Sequence, residues 1–117
     1  MHELDITRSI AKEASDRCKK EGILAGDIFL ELGSLSNYKR EPIEFFYDAL
    51  KDEHKELGKS NLKITNKKGK AQCLGCKEKF EIKDFWNLKC PKCESRDIEI
   101  IEGEDIKLIK ISKWQKR

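Results

Sequence analysis

The sequence predicts an α+β protein in which two helices pack on a three-stranded mixed sheet, with a four-cysteine zinc ribbon in the same chain. Three features support this prediction: two stretches with helical periodicity, several alternating stretches typical of strands, and two C-x-x-C pairs. The 117 residues are 38% hydrophobic and 40% charged, which suits one small domain and a metal-stabilised module. We therefore predict an α/β domain of residues 1–69 and 104–117 and a zinc-ribbon domain of residues 70–103.

The first helix is predicted over residues 4–21. Apolar residues recur there at every fourth position, and Gly22 suits a helix C-cap. The stripe consists of Ile6, Ile10, Ala14 and Cys18. Because Cys18 lies on this stripe, we interpret it as a small core residue rather than a reactive thiol.

The second helix is predicted to begin at Glu41-Pro42, since proline is tolerated in a first turn, and to end at Gly58. Its apolar face is formed by Ile43, Phe46, Tyr47, Leu50, His54 and Leu57. We interpret His54 as a packed or boundary histidine rather than a metal ligand.

Alternating apolar residues predict the strands. In residues 26–33, Ile28, Leu30 and Leu32 share one face, and residues 61–66 repeat the pattern. Two further strands are predicted at 98–103 and 104–114. We expect the last strand to return to the first two, because two strands and two helices make only a thin layer. The ribbon would then be inserted in a connection of the sheet.

Two cysteine pairs predict a metal site. Cys73 and Cys76 are followed, after thirteen residues, by Cys90 and Cys93. Two residues between paired cysteines let both sulfurs point at one ion from a single turn, and this spacing is typical of a four-thiolate zinc site. With all four positions filled by protein ligands, such a site is closed and therefore structural.

Other chemistry fits these cysteines less well. Disulfides suit a secreted protein, but no signal peptide is expected at the start of this chain. A redox function needs one reactive pair at a helix start rather than two matched pairs. Iron in a rubredoxin-like site uses the same ligands, so the residues alone leave the metal open.

Charge and composition narrow the function classes. No stretch approaches the roughly 18 apolar residues of a membrane helix, and free thiols beside a zinc site point to a reducing cytoplasm. The net charge of +3 lies in residues 70–117, and four thiolates with one Zn²⁺ would lower that part to about +1. This argues against nucleic acid as a partner. We find no nucleophile–base set, phosphate loop or open metal site in the sequence that would indicate an enzyme.

An alternative function stays open at this point. A zinc-ribbon scaffold, or an accessory module that binds nucleic acid or protein, could use aromatic side chains between the cysteine pairs and a basic tail. These residues are Phe80, Phe85, Trp86, Lys110, Lys113, Lys116 and Arg117. In so small a module the aromatic side chains, with Ile82, can instead cover the metal site.

The first three residues, Met1, His2 and Glu3, carry a second chemical signal. A bulky second residue generally prevents removal of the initiator methionine, so His2 should stay second. An imidazole, a nearby backbone nitrogen and a free α-amine can then chelate one metal. A planar set of such nitrogens suits Ni²⁺ or Cu²⁺ better than Zn²⁺. On the residues alone, however, a histidine at position 2 is usually an ordinary histidine.

Several motifs occur in one order along the chain. MHEL opens it, an amphipathic helix follows, ELGSLS comes after the first strand, and CPKC is followed by IIEGEDI. In this combination the sequence resembles the HypA/HybF family of hydrogenase nickel-insertion proteins from residue 1 to about residue 111. The zinc motif alone is common, whereas its combination with an N-terminal MHE is specific.

The resemblance implies a cytoplasmic nickel metallochaperone that helps to mature [NiFe]-hydrogenase and, in some organisms, urease. It implies transient Ni(II) bound by the His2 imidazole and by backbone nitrogens near Met1, His2 and Glu3. It also implies structural Zn(II) on the four cysteines. The implied partners are a HypB-type GTPase, the hydrogenase large subunit and a second copy in a homodimer. The family fold has two helices on a three-stranded sheet joined to a ribbon.

The chain departs from the family pattern after the first strand. The family usually has G-E-L-S there, often with a carboxylate a few residues later, whereas this chain has Ser34 at the second position. Lys39 and Arg40 follow, and Glu41 is the nearest acid. Two cations close to Ni²⁺ would disfavour its binding by up to about 1 kcal/mol each if exposed. We therefore expect nickel affinity or partner choice to differ from the family norm.

Overall fold

The computed structural model describes residues 2–83 and 87–115, with only the backbone described for His2. Within these residues there are two α-helices, α1 (His2–Glu21) and α2 (Arg40–Leu50). The strands are β1 (Ala25–Gly33), β2 (Asn61–Lys67), β3 (Lys70–Cys73), β4 (Lys79–Glu81), β5 (Ile98–Glu102) and β6 (Ile106–Lys113). Among the helices so described, none has the length and apolar character needed to cross a membrane.

The chain forms two compact units. The helical unit contains Met1–Glu31, Tyr38–Thr65 and Lys107–Arg117, and the ribbon unit contains Leu32–Asn37 and Asn66–Ile106. The division into domains of residues 1–69 with 104–117 and 70–103 stays a prediction. The observed units differ from it in that residues 32–37, 66–69 and 104–106 belong to the ribbon unit.

Backbone contacts explain why residues 32–37 belong to the ribbon unit. The N–H of Ser34 donates to the carbonyl of Lys67 at 2.9 Å, and the N–H of Leu35 donates to that of Gly103 at 2.8 Å. A Cβ atom at Gly33 would overlap the Gly103 carbonyl, so glycine is required for this close approach.

One three-stranded sheet has the order β2-β1-β6, which confirms that the C-terminal strand completes it. β6 runs antiparallel to β1, since Trp114 N–H donates to the Leu24 carbonyl and Gly33 N–H donates to that of Asp105. β2 follows β1 through α2 and runs in the same direction, which makes the sheet mixed. The predicted fold class is thereby confirmed.

The alternating apolar residues of β1 and most of the apolar stripe predicted for α1 are buried, whereas Ile6 at the start of that stripe is half-buried. Ile10, Ala14 and Cys18 of α1 are at most 7% exposed, and the alternating residues of β1 at most 5%. Cys18 is fully buried, so its interpretation as a core residue is confirmed. Burial raises the pKa of its thiol above the ordinary value, which further suppresses the reactive thiolate.

The second helix is shorter than predicted. α2 ends at Leu50, and two 3₁₀ turns, Lys51–Glu53 and Lys55–Leu57, replace the expected continuation to Leu57. The break lies at His54, which has an extended backbone with φ −126° and ψ 113°. Leu57 is nevertheless fully buried, because the irregular segment still turns this residue inward. Apolar periodicity therefore identified Ile43, Tyr47, Leu50 and Leu57 correctly as buried, whereas Phe46 is half-buried and the predicted helix end was wrong.

The ribbon unit contains a second three-stranded sheet, in the order β4-β3-β5. β3 pairs antiparallel with both neighbours, and Cys73 lies opposite Ile98. Only β5 is predicted as a strand from the sequence. β3 and β4 have four and three residues, too few to show a clear alternation.

Candidate metal centres

The four predicted zinc ligands come together in the ribbon unit. The Sγ atoms of Cys73, Cys76, Cys90 and Cys93 all lie within 4.8 Å of one another. The closest pairs, Cys73 with Cys93 and Cys76 with Cys90, are 3.5 Å apart. These distances are far too long for a disulfide, whose sulfurs lie about 2.05 Å apart. In the described part of the chain no other group of His, Cys, Asp or Glu clusters in this way.

Two equivalent turns hold the sulfurs. In the first, Cys76 N–H donates to Cys73 Sγ at 3.4 Å and Lys77 N–H donates to the Cys73 carbonyl at 3.0 Å. In the second, Cys93 N–H donates to Cys90 Sγ at 3.4 Å and Glu94 N–H donates to the Cys90 carbonyl at 2.8 Å. Each turn therefore presents both of its sulfurs to one point and supplies N–H groups to stabilise a thiolate.

The residue after each pair has an unusual backbone. Lys77 has φ +67° and Glu94 has φ +63°, in the left-handed region that glycine normally occupies. Each such residue costs on the order of 1 kcal/mol. Because the same geometry follows both cysteine pairs, we attribute it to the closing of each turn, in which this residue donates its N–H to the carbonyl of the first cysteine. The sequence gives no local signal for it, since neither position holds glycine, asparagine or aspartate.

The four thiols differ in acidity. The N–H of Cys76 is the main cause that lowers the pKa of Cys73 to about 6, and the N–H of Cys93 likewise lowers the pKa of Cys90. The N–H of Ser95 favours a thiolate at Cys93, but the neighbouring sulfur of Cys73 and burial together raise the pKa of Cys93 to about 12. Two sulfurs thus ionise readily and oppose ionisation of the others, and a divalent cation removes that repulsion.

The donor set and geometry fit zinc. Zn–S bonds of about 2.3 Å in a tetrahedron place the sulfurs about 3.8 Å apart. The observed separations of 3.5 Å to at most 4.8 Å bracket this value. Four protein thiolates would leave no position for water or substrate, so the site is suited to holding the ribbon together rather than to catalysis.

The N-terminal residues are placed by α1. The helix begins at His2, so the N–H groups of His2 and Glu3 are among the first four, which have no acceptor within the helix. The Glu3 carbonyl accepts a hydrogen bond from the Thr7 hydroxyl at 2.5 Å. The Glu3 carboxylate accepts from the backbone N–H of Lys39 at 3.1 Å. Met1 and the His2 side chain lie outside the described residues.

Two of the residues at which this chain departs from the family pattern, Ser34 and Arg40, form hydrogen bonds within the chain. Arg40 donates to the Ile64 carbonyl at 2.7 Å and lies 3.6 Å from the Glu44 carboxylate. Ser34 Oγ accepts from the Gly69 N–H at 3.1 Å. Glu41 is exposed in the first turn of α2. The Arg40 charge is thus directed toward α2 and β2.

Among the remaining candidates, His54 is half-buried, as expected of a boundary histidine. Phe80 and Ile82 of the ribbon unit are also half-buried. Phe85, Trp86, Lys116 and Arg117, on which the nucleic-acid alternative partly depended, lie outside the described residues.

Comparison with protein families gives one match over nearly the whole chain. A family model described as "Hydrogenase/urease nickel incorporation, metallochaperone, hypA" matches residues 1–112. A hydrogenase maturation factor HypA of Acidithiobacillus ferrooxidans is 28% identical over 109 residues, which are 92% of this chain and 95% of that protein. The corresponding factor of Methanococcus maripaludis is 27% identical over 117 aligned residues, or 93% and 92% of the two chains.

Two solved structures share the fold. The solution structure of the Ni metallochaperone HypA from Helicobacter pylori has a TM-score of 0.76 at 17% identity, covering 97% of this chain and 98% of that one. A second solution structure, of HypA protein, has a TM-score of 0.79 at 19% identity and covers 97% of each chain. At these identities the likeness concerns the fold.

Proposed function

The chain belongs to the HypA family of hydrogenase/urease nickel-incorporation metallochaperones, and we propose that it binds one Ni²⁺ ion at its N-terminus and passes it on. The proposed ligands are the His2 imidazole and the backbone nitrogens of His2 and Glu3, with the α-amine of Met1. We propose that it delivers the nickel during maturation of [NiFe]-hydrogenase and, in addition, of urease.

The observation that carries this proposal is the start of α1 at His2. Within a helix, a backbone N–H is committed to a carbonyl four residues earlier, whereas the first N–H groups are free for another partner. The backbone nitrogens of His2 and Glu3 are therefore not committed to hydrogen bonds within α1, which supports their assignment as ligands. The bond from Lys39 N–H to the Glu3 carboxylate holds the first turn of α1 against the start of α2.

The chemistry is binding and release rather than catalysis. A terminal site lets a partner's ligands replace the nitrogens one at a time. The cysteine cluster takes no part in this exchange, because Zn²⁺ on four thiolates has a closed shell of protein ligands. We further propose that the protein acts in the cytoplasm with a HypB-type GTPase and the hydrogenase large subunit, and that it can form a homodimer.

The test is a calorimetric titration of Ni²⁺ into the zinc-loaded protein with Met1 as its first residue. We expect 1:1 binding of roughly micromolar affinity, lost in His2→Ala. Cys18→Ala is a control, because this buried cysteine should not affect nickel binding. Equal nickel binding in wild type and His2→Ala would contradict the proposed site and favour the scaffold alternative.

The pH dependence tests the ligand set independently. Amide and imidazole nitrogens must lose protons before they bind Ni²⁺, so affinity should fall steeply from about pH 8 to about pH 6. A carboxylate site would change little over this range, because carboxylates ionise near pH 4. A flat profile would therefore exclude these nitrogens as the principal ligands.

A further inference from the structure

A cleft of about 730 Å³ lies in the helical unit, at the edge of the sheet where β1 and β2 begin and β6 ends. Its walls are the start of β1, the segment that leads into β2, and the end of β6. The side chains that determine its chemistry are Asp27, Lys59, Asn61, Lys63, Lys113 and Trp114. All of them belong to the same compact unit, so the cleft is built within it.

Backbone contacts between β1 and β6 hold one wall of the cleft in place. Trp114 donates its N–H to the Leu24 carbonyl at 2.8 Å. A Cβ atom at Gly26 would lie 3.0 Å from the Lys113 carbonyl, so the missing side chain lets the end of β6 approach β1 closely. The Trp114 ring is half-buried, and the Lys59 ammonium lies 4.2 Å from its centroid. This cation–π contact places one positive charge at the wall of the cleft.

The charges that line the cleft do not balance. Lys59, Lys63 and Lys113 are exposed, and none of them forms an ion pair with a described residue. Asp27 is the one carboxylate among the described lining residues. Three cations and one anion leave a net charge of +2 in a concave surface, where charges of one sign reinforce each other's attraction for a counter-ion.

A second cleft, along the outside of α1, shows a different arrangement. Its cations Lys12 and Arg17 lie 3.1 Å from the Asp16 carboxylate and 3.4 Å from the Glu13 carboxylate, respectively. Carboxylates on the same helix thus neutralise these two cations locally. The cleft at the sheet edge has no such pairing among its described residues, so its cations remain available to an anion from solution.

The lining residues decide which class of anion fits best. A net charge of +2 favours an anion with at least two negative charges over a single carboxylate. The described cations are all lysines, whose compact ammonium groups suit phosphate oxygens, whereas arginine forks suit the planar carboxylate. The Asn61 amide can donate a further hydrogen bond. The volume exceeds what a single phosphate needs.

We propose that this cleft binds a phosphoanhydride, that is, two linked phosphate groups, through Lys59, Lys63 and Lys113. The proposal goes beyond nickel binding and concerns a different part of the helical unit. α1 has 20 residues and therefore spans about 30 Å. The proposed nickel ligands lie at its first residues, whereas the cleft begins at Gly26, shortly after its last residue.

The test is a calorimetric titration of sodium pyrophosphate into the zinc-loaded protein at constant ionic strength, without added nickel. We expect one site per chain with a dissociation constant on the order of 0.1–1 mM. Lys63→Gln and Lys113→Gln should each weaken binding about fivefold, and the double variant about twenty-fivefold, because each change removes one cation from the cleft. Both side chains are exposed, so the variants should unfold at the wild-type temperature.

Lys12→Gln is the matched control, since it removes an exposed lysine whose charge is already paired with Asp16. It should leave pyrophosphate affinity unchanged. Equal weakening by Lys12→Gln and Lys63→Gln would mean that pyrophosphate responds only to the overall charge of the protein, and the cleft would not be its site. Absence of pyrophosphate binding by the wild type would overturn the proposal, as would tighter binding of citrate, a carboxylate anion of similar charge.

Titration with ADP distinguishes free pyrophosphate from a nucleotide as the source of the phosphoanhydride. Tighter binding of ADP than of pyrophosphate, with the difference removed by Trp114→Leu, would identify a nucleotide whose base stacks on the indole. Equal affinities would show that the linked phosphates are the whole of the recognised group. Lys63→Gln and Lys113→Gln should bind Ni²⁺ like wild type. Failure of the wild type to bind nickel would contradict the proposed function and leave the cleft unaffected.

Discussion

The helical unit and the ribbon unit achieve stability in different ways. In the helical unit, large apolar side chains from both helices and two strands are almost completely buried; examples are Ile10, Ile28, Leu30, Ile43, Tyr47, Leu50, Leu57 and Ile64. In the described part of the ribbon unit, the buried hydrophobic side chains are Leu32, Ala71, Cys73 and Cys90. Two of these four are proposed metal ligands. The ribbon unit therefore depends on its cysteines where the helical unit depends on a core.

This difference follows from size and strand length. A small unit buries too little apolar surface to offset the conformational entropy of its chain, so metals or disulfides supply the remainder. The strands β3, β4 and β5 of the ribbon unit have only three to five residues each, so they bury little apolar surface. Removal of the metal should therefore destabilise the ribbon unit, and a substitution in the apolar core should destabilise the helical unit.

The largest effect is expected from removal of the metal. Cys73→Ser or a strong chelator should unfold the ribbon unit, because structural zinc supplies on the order of 10 kcal/mol in small zinc domains. The helical unit should keep its fold, since its core contains none of the four ligands. Amide hydrogen exchange followed by NMR checks this, with loss of protection confined to residues 32–37 and 66–106.

Cys18→Ala provides the control for the metal experiment. This cysteine is fully buried in α1, so the change should lower the stability of the helical unit slightly and leave one Zn²⁺ per chain. If chelation instead abolished protection throughout α1 and β1, the two units would not be independent. If it changed protection nowhere, the ribbon unit would have a sufficient core of its own.

The second prediction concerns a substitution in the apolar core of the helical unit. Leu30 is 1% exposed in the central strand of the three-stranded sheet. Leu30→Ala should lower the unfolding free energy of the helical unit by about 2–5 kcal/mol, because it removes buried methyl groups and leaves a cavity. Zinc content and exchange protection in the ribbon unit should be unchanged. Urea unfolding monitored by NMR signals of each unit distinguishes this result from a global loss of stability.

The same contrast explains how much the sequence could predict. The helical unit has long periodic stretches, so the burial of Ile28, Leu30 and Cys18 and the return of the last strand were predicted correctly. In the ribbon unit the cysteine spacing predicted the ligands but not the short strands. The hydrogen bond between Glu3 and Lys39 was not predictable, because it joins residues thirty-six apart through one backbone group. The break at His54 was not predictable from the apolar pattern, because helical periodicity continues through it to Leu57.

The smallest effect is expected from protonation of Glu56 at low pH, which should lower the unfolding free energy of the helical unit. Glu56 is 7% exposed, and Ser15 donates a hydrogen bond to its carboxylate at 2.9 Å. This bond is the main cause that lowers the pKa of Glu56 below its ordinary value. A group whose pKa is lower in the folded state stabilises the fold above its unfolded-state pKa and loses that contribution as pH falls through the folded value.

Glu56→Gln should therefore flatten the decline in stability of the helical unit below about pH 5, because the amide does not titrate. Ser15→Ala should shift the pKa of Glu56 toward its ordinary value and shrink the same decline. Glu13→Gln, an exposed carboxylate on α1, is the matched control and should leave the profile unchanged. Urea unfolding of the helical unit from about pH 3 to about pH 7 measures this.

Release of Zn²⁺ on acidification should follow the same curve in all variants, since it depends on the thiolates of the ribbon unit. If Glu56→Gln moved the pH of zinc release, the two units would share an acid-sensitive element and the contrast between them would fail.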